Sequence, residues 1–557
     1  MPSLQYAIEC HHQGRLEQAE TLYRAVLADD PEQPDALALL GVLLSARGKF
    51  TEAIALLNRA IEKDPSTPLF RFHLGTVLSA MKEQDGAVRA FQEAVARKPD
   101  FVDAHLRLAC LFEETGRLHD AIEHARTLTA LRPDDSAFWV RLGSLLIRNK
   151  AYDEASAAAE RALTLAPNDP GVLALQALAL DVHNREEDAI RYLKRALAVR
   201  PDFLEAWDML GVTYQKLGQR TQAEESLLKA LGLVGFSRED EQGAFLPEEH
   251  YTVQHWNLAL LELLHGDFRN GFAHYRARFK KAGRAQRPPV PPPLWNGEDL
   301  SDKKILVVGE QGLGDVLMLV RFLPLLKAKG AHVVLLAHDA LVPLLRQTSL
   351  AETVISKVPE EQGDLDYQTS IFDLPFHLGT TIETLPSVPY LPSPEPDCAT
   401  RLPASSKPRV GLVWAGKPSF GDDRRRSLPL SLFVPLLREN DAAFFSLMRD
   451  KRPGDDALLA TLPITDLAPA LTDFLATARL VAQMNLVVTC DTAVAHLAGG
   501  MGKPTWLLLP FAPDWRWLTD RDDSPWYPSM RLFRQKTKAD WEDVILRVRK
   551  ALAEKVV

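Results

Sequence analysis

Cysteine is scarce in this chain. Four residues in 557, Cys10, Cys110, Cys398 and Cys490, include no pair at CxxC spacing. That excludes a disulfide framework and a thiolate zinc site, and the four are expected to be buried, reduced thiols of a cytoplasmic protein. Long apolar runs are also missing. No stretch approaches the roughly 18 uninterrupted apolar residues of a membrane span. The first residues, MPSLQYAIECHHQG, lack a basic segment followed by an apolar one, so no secretory signal is expected. Positive charge is not in excess: 65 Lys and Arg against 74 Asp and Glu leave a net charge of −9. A nucleic-acid binder needs a basic face to neutralise phosphates, so nucleic acid is not an expected partner.

What the chain has in quantity is repetition. Ala recurs at 19, 53, 87, 121, 155, 189 and 223, and Pro at 31, 65, 99, 133, 167 and 201. Ala7, Gly41, Gly75, Ala109, Gly143, Ala177 and Gly211 keep the same 34-residue period. Small residues at fixed points let two antiparallel helices touch closely, and the Pro stops the second helix. The pattern resembles the tetratricopeptide repeat (TPR) and implies seven helix pairs over residues 1–237. Such an array is a binding surface without chemistry of its own, so any activity must lie further along.

The remaining 320 residues (557 − 237) divide by composition. Residues 238–283 read as a linker followed by a degenerate terminal repeat, with Ala259, Gly266, Gly271 and Tyr275 in phase. That repeat is expected to close the solenoid, since an end repeat must cover an apolar face. Five prolines between Pro288 and Pro293 mark a boundary at 284–295. From Lys303 the pattern becomes strand, glycine turn, helix, strand, which implies a parallel sheet. A second proline-rich tract, 393–408, separates one such half (296–392) from another (409–557). The expected fold is therefore an all-α TPR superhelix followed by an α/β region of two Rossmann-like halves. A cleft lies between the halves at the carboxyl ends of their strands. The last helix, DWEDVILRVRKALAEKVV, is expected to pack back across both halves.

Three segments carry chemistry. In the first turn, Gly309-Glu310-Gln311-Gly312-Leu313-Gly314-Asp315, the glycine order is GxxGxG, not the GxGxxG of dinucleotide sites. An acid at the helix start would also repel a pyrophosphate, so NAD is not expected. Asp315 is either a helix cap or a carboxylate at the floor of the cleft able to take a proton, with Gly312 and Gly314 beside it. In the second segment a strand ends at Trp414, which is therefore expected in the cleft, and Arg424, Arg425 and Arg426 precede a helix starting near Pro429. Arginine forks there suit a diphosphate, or else form a solvated basic run balanced by Asp422 and Asp423. In the third segment a strand delivers Asp491 and Thr492 to a helix carrying His496. The N–H groups of Thr492 and Ala493 are then placed to face an anion. Asp514, Trp515 and Arg516 follow the next strand and are expected at the mouth of the cleft, whereas Trp517 and Trp526 read as a hydrophobic latch on the last helix.

ILVVGEQGLGDVLMLVRFLPLLKAKG resembles the opening of the bacterial heptosyltransferases, which implies that Asp315 is the general base on an acceptor hydroxyl. Arg426-Ser427-Leu428-Pro429 resembles the segment whose basic residue holds the donor phosphate. Asp491-Thr492 through His496, followed by Gly-Lys-Pro, resembles the nucleotide-sugar donor site. The order of TPR array and two-half domain looks like bacterial TPR-linked glycosyltransferases, relatives of O-linked N-acetylglucosamine transferases and flagellin glycosyltransferases. The resemblance implies a glycosyltransferase-B fold. It also implies no metal and no cofactor, the nucleotide-sugar being a substrate, in keeping with the lack of a clustered His/Asp set or a DxD placed after a strand. One feature departs from the O-linked N-acetylglucosamine transferases. Their asparagine-ladder positions are occupied here by Leu39, His73, Arg107, Arg141, Leu175 and Met209, so that grip on peptide backbone is not expected.

Within the repeats, the concave positions give Leu69, Phe72, Leu106, Val140, Ile147 and Leu178, interspersed with Asp103, Glu113, Asp181 and Asp208. An apolar stripe with acidic neighbours suits an amphipathic, partly basic helix, although single members of the stripe could equally pack on neighbouring helices. The expectation is a cytoplasmic enzyme that transfers a sugar from a nucleotide donor to a protein, flagellin-like acceptors included, held in this groove. Its rivals are a non-catalytic adaptor with a degenerate transferase domain and a glycan-building transferase whose repeats organise a complex.

Overall fold

The computed structural model describes residues 3–236, 252–280, 292–358, 365–387, 389–418 and 423–556. They belong to two compact units, divided between Thr213 and Tyr214. The acidic linker after residue 237, most of the first proline run and Asp422 lie outside the described residues.

The first unit consists of helix pairs such as Pro34–Ala46 with Phe50–Lys63 and Pro68–Ala80 with Gln84–Arg97. Proline at the first helical position costs no hydrogen bond there. The recurrent alanines from Ala19 to Ala189 are fully buried. At Gly75 a Cβ would stand 2.7 Å from the Phe91 ring, and at Gly143 2.8 Å from Leu175. Contact distance, then, dictates the small residues. The boundary prolines keep their carbonyls satisfied: Arg59 and Arg195 donate to Pro31 and Pro167 at 2.7 and 2.9 Å, and the Trp139 indole donates to Pro133 at 2.9 Å.

One residue between the two helices of a pair sits in the left-handed region, and it too recurs: Gly48 (φ +75°), Lys82 (+63°), Gly116 (+76°), Lys150 (+62°). A side chain there costs about 1–2 kcal/mol, part of which the stiffer unfolded chain returns. Lys150→Gly is therefore expected to stabilise the protein by roughly 0.5–1 kcal/mol. A urea titration followed by circular dichroism checks this, and an unchanged midpoint would show that residue 150 carries no strain.

The second unit opens with helix Arg220–Leu233, then α1 (Val253–Leu264) and α2 (Phe268–Tyr275), which runs into a 3-10 turn, Arg276–Lys280. Two parallel sheets follow. The first holds β1 (Lys304–Val308), β2 (His332–Leu336), β3 (Thr353–Ile355) and β4 (Tyr367–Ser370) in the order β3-β2-β1-β4. The second holds β5 (Arg409–Val413), β6 (Ala443–Ser446), β7 (Ile464–Asp466), β8 (Leu486–Cys490), β9 (Thr505–Leu509) and β10 (Met530–Arg534), in the order β10-β9-β8-β5-β6-β7. The named strand pairs are all parallel. Each sheet is doubly wound and reverses its direction of growth once, between β1 and β4 in the first and between β5 and β8 in the second.

One packing expectation needs correction, and another is extended. The last helix, Trp541–Val556, rests on β10 and on Leu430–Glu439, all in the second half. The hairpin α1–α2 spans both halves instead: Tyr275 lies on Phe372 at 5.1 Å, Phe272 meets Trp515 at 5.7 Å and Phe268 meets Trp526 at 5.4 Å. One continuous core runs from Trp256 through both sheets to Leu552. The terminal repeat stacks on helix Arg220–Leu233, as a solenoid end is expected to, and is also part of the α/β unit's core, because its other apolar face finds aromatic partners there. The thiols divide as well: Cys10 and Cys490 are buried, but Cys110 is half-buried and Cys398 exposed.

Candidate active site

In an open parallel sheet a crevice forms where neighbouring connections leave in opposite directions, outside the carboxyl ends of the two strands. Here that rule selects Gly309–Asp315 after β1 and Asp491–Thr492 after β8, with Trp414–Gly416 after β5. Helix α3 (Leu313–Leu319) leaves the first turn and α4 (Ala493–Gly500) leaves the second. The two helices pack together at their starts. A Cβ on Gly314 would stand 2.7 Å from His496 Cδ2 and 3.3 Å from the Ala493 Cα, so only glycine permits this approach.

Asp315 serves two partners. Its Oδ2 accepts the Gly312 N–H at 2.7 Å, as a cap does, and its Oδ1 accepts from Arg516 Nη2. Arg516 also donates through Nη1 to Asp514 Oδ1 at 2.6 Å and lies 4.5 Å above the Trp515 ring. Its buried Nε has no hydrogen-bond partner among the described residues. Burial opposes the Arg516 charge, but Asp315 and Asp514 outweigh it and hold the guanidinium's pKa well above its ordinary value. Asp491 is pushed up to about 6, first by desolvation and then by the Asp514 charge, against the pull of Arg426 and Arg516. Three carboxylates and two guanidiniums therefore share one electrostatic neighbourhood.

His496 is 4% exposed, stacks on Trp517 at 5.2 Å and has its Nδ1 2.8 Å from the Tyr527 hydroxyl. Burial first, then the charges of Arg516, Arg321 and Arg426, drives its pKa well below the ordinary value. It is a neutral ring packed at the joint between α3 and α4. Trp414, expected in the cleft, is fully buried and donates to Asp455 Oδ2 at 2.9 Å. Trp515 is 3% exposed and packed among Phe272, Tyr275 and Trp526. Strand ends in a tight core bury large rings, so neither Trp offers a face to a ligand. Trp517 and Trp526 are likewise buried, and they hold α4 and the α1–α2 hairpin in place of the last helix.

The basic run forms a short helical turn, Asp423–Arg426. Arg424 is exposed, whereas Arg426 is half-buried with Nη2 2.8 Å from where a Gly416 Cβ would be. Sequence reasoning missed Arg452, which donates to the Gly416 carbonyl at 3.0 Å, to Ser427 Oγ at 3.3 Å and to Asp423. Its signal was present: Arg452 stands just past the carboxyl end of β6. Arg321 was missed too. It is buried and bonded to the carbonyls of Met318, Pro386 and Trp526 at 2.6–2.8 Å.

In the first unit, Phe72 and Leu106 line a cavity of about 310 Å³ with Asp103, Arg107, Cys110 and Arg141. Leu69 is exposed, whereas Phe72 rests on Phe91 and Phe101 at 5.5 and 5.1 Å. Val140 and Ile147 pack against a cluster of Ala159, Leu175 and Ala179, and Leu178 is half-buried. The acidic side of the stripe is weaker than expected: Glu113 is bound by Arg141 at 3.1 Å and by Arg148, and Asp181 is buried. No helix among the described residues is long and apolar enough to cross a membrane.

Comparison with known proteins bears on the repeats. The tetratricopeptide-repeat family description matches residues 11–71, 72–126, 106–170 and 204–233. Protein FlbA of Caulobacter vibrioides (strain ATCC 19089 / CIP 103742 / CB 15) is 28% identical over 430 residues, 68% of this chain and 72% of that protein. Among solved structures, the C-terminal part of a TPR repeat-containing protein from Cytophaga hutchinsonii matches 42% of this chain and 97% of its own, at 18% identity and a TM-score of 0.36. YrrB, described as a TPR protein with an unusual peptide-binding site, matches 33% of this chain and 95% of its own, at 18% identity and a TM-score of 0.30. The N-terminal region of this chain is an array of tetratricopeptide repeats.

Proposed function

We propose that the chain is a glycosyltransferase of the glycosyltransferase-B type, moving a sugar from a nucleoside-diphosphate donor to a protein held by the TPR groove. The observation that carries this reading is the Asp315–Arg516–Asp514 cluster between the two helix starts, with Asp491 and Arg426 beside it. In the reaction an acceptor hydroxyl oxygen bonds to the anomeric carbon as the bond from that carbon to the phosphate oxygen breaks. The nucleoside diphosphate leaves with the electron pair, and Asp315 takes the hydroxyl proton. Arg516 and Arg426 are suited to the leaving diphosphate, since guanidinium forks match phosphate oxygens. A diphosphate that draws Arg516 toward itself also leaves Asp315 able to accept a proton.

One observation favours the adaptor reading: both Asp315 oxygens already have protein partners. A thermal-shift screen against UDP-, GDP-, CMP- and ADP-linked sugars, followed by hydrolysis of whichever binds, separates the two readings. Binding to the folded state alone raises stability by about 2.7 kcal/mol at 100 times the dissociation constant. Binding without turnover, with or without acceptor, would leave the adaptor.

The groove has its own test. Leu106 lines the cavity, and unlike Phe72 it is not part of an aromatic cluster. Leu106→Glu is expected to lower modification of the protein acceptor at least tenfold, about 1.4 kcal/mol of lost docking, with donor hydrolysis unchanged. Retained acceptor modification would remove this face from substrate selection.

A further inference from the structure

The groups that hold the Gly309–Asp315 turn come in large part from the helical hairpin that precedes the sheets. Within the turn itself, Gln311 stands at φ +65° and Gly312 is exposed. Arg278, with 1% of its side chain exposed, donates to Glu310 Oε1 from Nη2 at 2.6 Å and from Nε at 3.0 Å. Its Nη1 donates to Asp373 Oδ1 at 2.8 Å. Glu310 follows β1 and Asp373 follows β4, the two strands between which the first sheet reverses. The guanidinium thus fills the first half's own crevice and ties its two walls. The Ser370 hydroxyl also donates to Glu310, and the Tyr275 hydroxyl meets the Gln311 side chain at 3.3 Å. Burial works against the Arg278 charge, and Asp373 and Glu310 more than offset it, raising its pKa above the ordinary value.

We propose that Tyr275 and Arg278 are positioning residues for the transfer reaction: by holding Gln311 and Glu310 they fix where Asp315 presents its carboxylate. The catalytic arrangement is complete only when the terminal hairpin is seated. The proposal rests on the transferase reading above. A displacement of about 1 Å in a reacting group can cost on the order of 100-fold in rate. Diphosphate affinity is carried by Arg426 and by Arg516, which Asp514 also holds, so rate and affinity should separate.

The test uses the full chain with Tyr275→Phe, Arg278→Lys and Arg278→Met. The nucleoside diphosphate gives the dissociation constant, and its sugar conjugate gives the turnover rate. Lys keeps the charge but lacks the fork that reaches two carboxylates at once. Arg278→Lys is expected to lower kcat by about 10- to 100-fold, and Tyr275→Phe several-fold, with melting temperature and diphosphate affinity near parental. If Arg278→Met fails to fold, the other two variants carry the test. Variants that turn over at the parental rate overturn the positioning role, and so does a parallel loss of affinity and kcat, which marks a purely structural one. A parental protein that turns over no nucleoside-diphosphate sugar sinks the transferase reading, and this proposal with it.

Discussion

Asp315→Asn is expected to slow sugar transfer by about 100- to 10,000-fold, the usual cost of losing a general base. Diphosphate affinity and folding should stay close to parental. Asparagine keeps the shape of the side chain, and its carbonyl oxygen can still accept the Gly312 N–H that Asp315 Oδ2 accepts at 2.7 Å. Arg516 keeps Asp514 as a partner at 2.6 Å. The magnitudes decide between the two roles that the sequence leaves open. A cap alone contributes about 0.5–2 kcal/mol to stability and nothing to rate. Transfer at the parental rate, with at most a slightly lower melting temperature, would reduce Asp315 to a cap. Loss of rate at full stability would establish the base.

The second large effect concerns where the catalytic unit begins. A fragment starting at Asn296, the boundary suggested by composition, is expected not to fold, whereas Tyr214–Val557 is expected to fold cooperatively. The shorter fragment loses Trp256, Phe268, Phe272 and Tyr275, all buried in the common core. At about 1.5–3 kcal/mol for each large apolar side chain, the loss is roughly 6–12 kcal/mol. Domain stability as a whole is only about 5–15 kcal/mol. Without Arg278, Glu310 and Asp373 also stay behind as carboxylates short of a counter-charge, at a further cost of about 3–5 kcal/mol. Circular dichroism melts of the two fragments decide the matter. A cooperative transition in the fragment starting at Asn296 would make the hairpin an accessory.

Six of the ten strands among the described residues lie within apolar runs that the sequence displays openly, such as KKILVVG for β1 and NLVVTC for β8. The other four escaped for physical reasons. β3 and β7 are three-residue strands at the sheet edges. β4 reads YQTS, with polar side chains buried, Ser370 bonded to Glu310 and Gln368 to the Pro292 carbonyl. β10 alternates Arg with apolar residues in a segment dominated by aromatics. The site was legible in the same uneven way. Asp315, Asp491, Asp514 and Arg516 meet because each stands at a glycine turn or a strand end, which a motif marks. Trp414 and Trp515 stand at strand ends too, but size sends them into the core. Arg452, Arg321 and Arg278 carry no motif, and each gains its role from the carbonyls or carboxylates that tertiary packing brings to it.

The repeats follow from a local code, a 34-residue period of small residues and prolines: each pair of helices contacts chiefly its neighbours, and close contact at Gly75 or Gly143 admits little else. The parallel sheets were equally legible, through short apolar strands alternating with helices. Which groups share the cleft depends on long-range packing, because Asp315 and Arg516 are 201 residues apart. Their meeting depends on α3 and α4 approaching at Gly314. The terminal hairpin's allegiance was decided the same way. Its α1 stacks on helix Arg220–Leu233 as its repeat pattern implies, but its remaining apolar face is buried against Phe372, Trp515 and Trp526, which no repeat pattern marks.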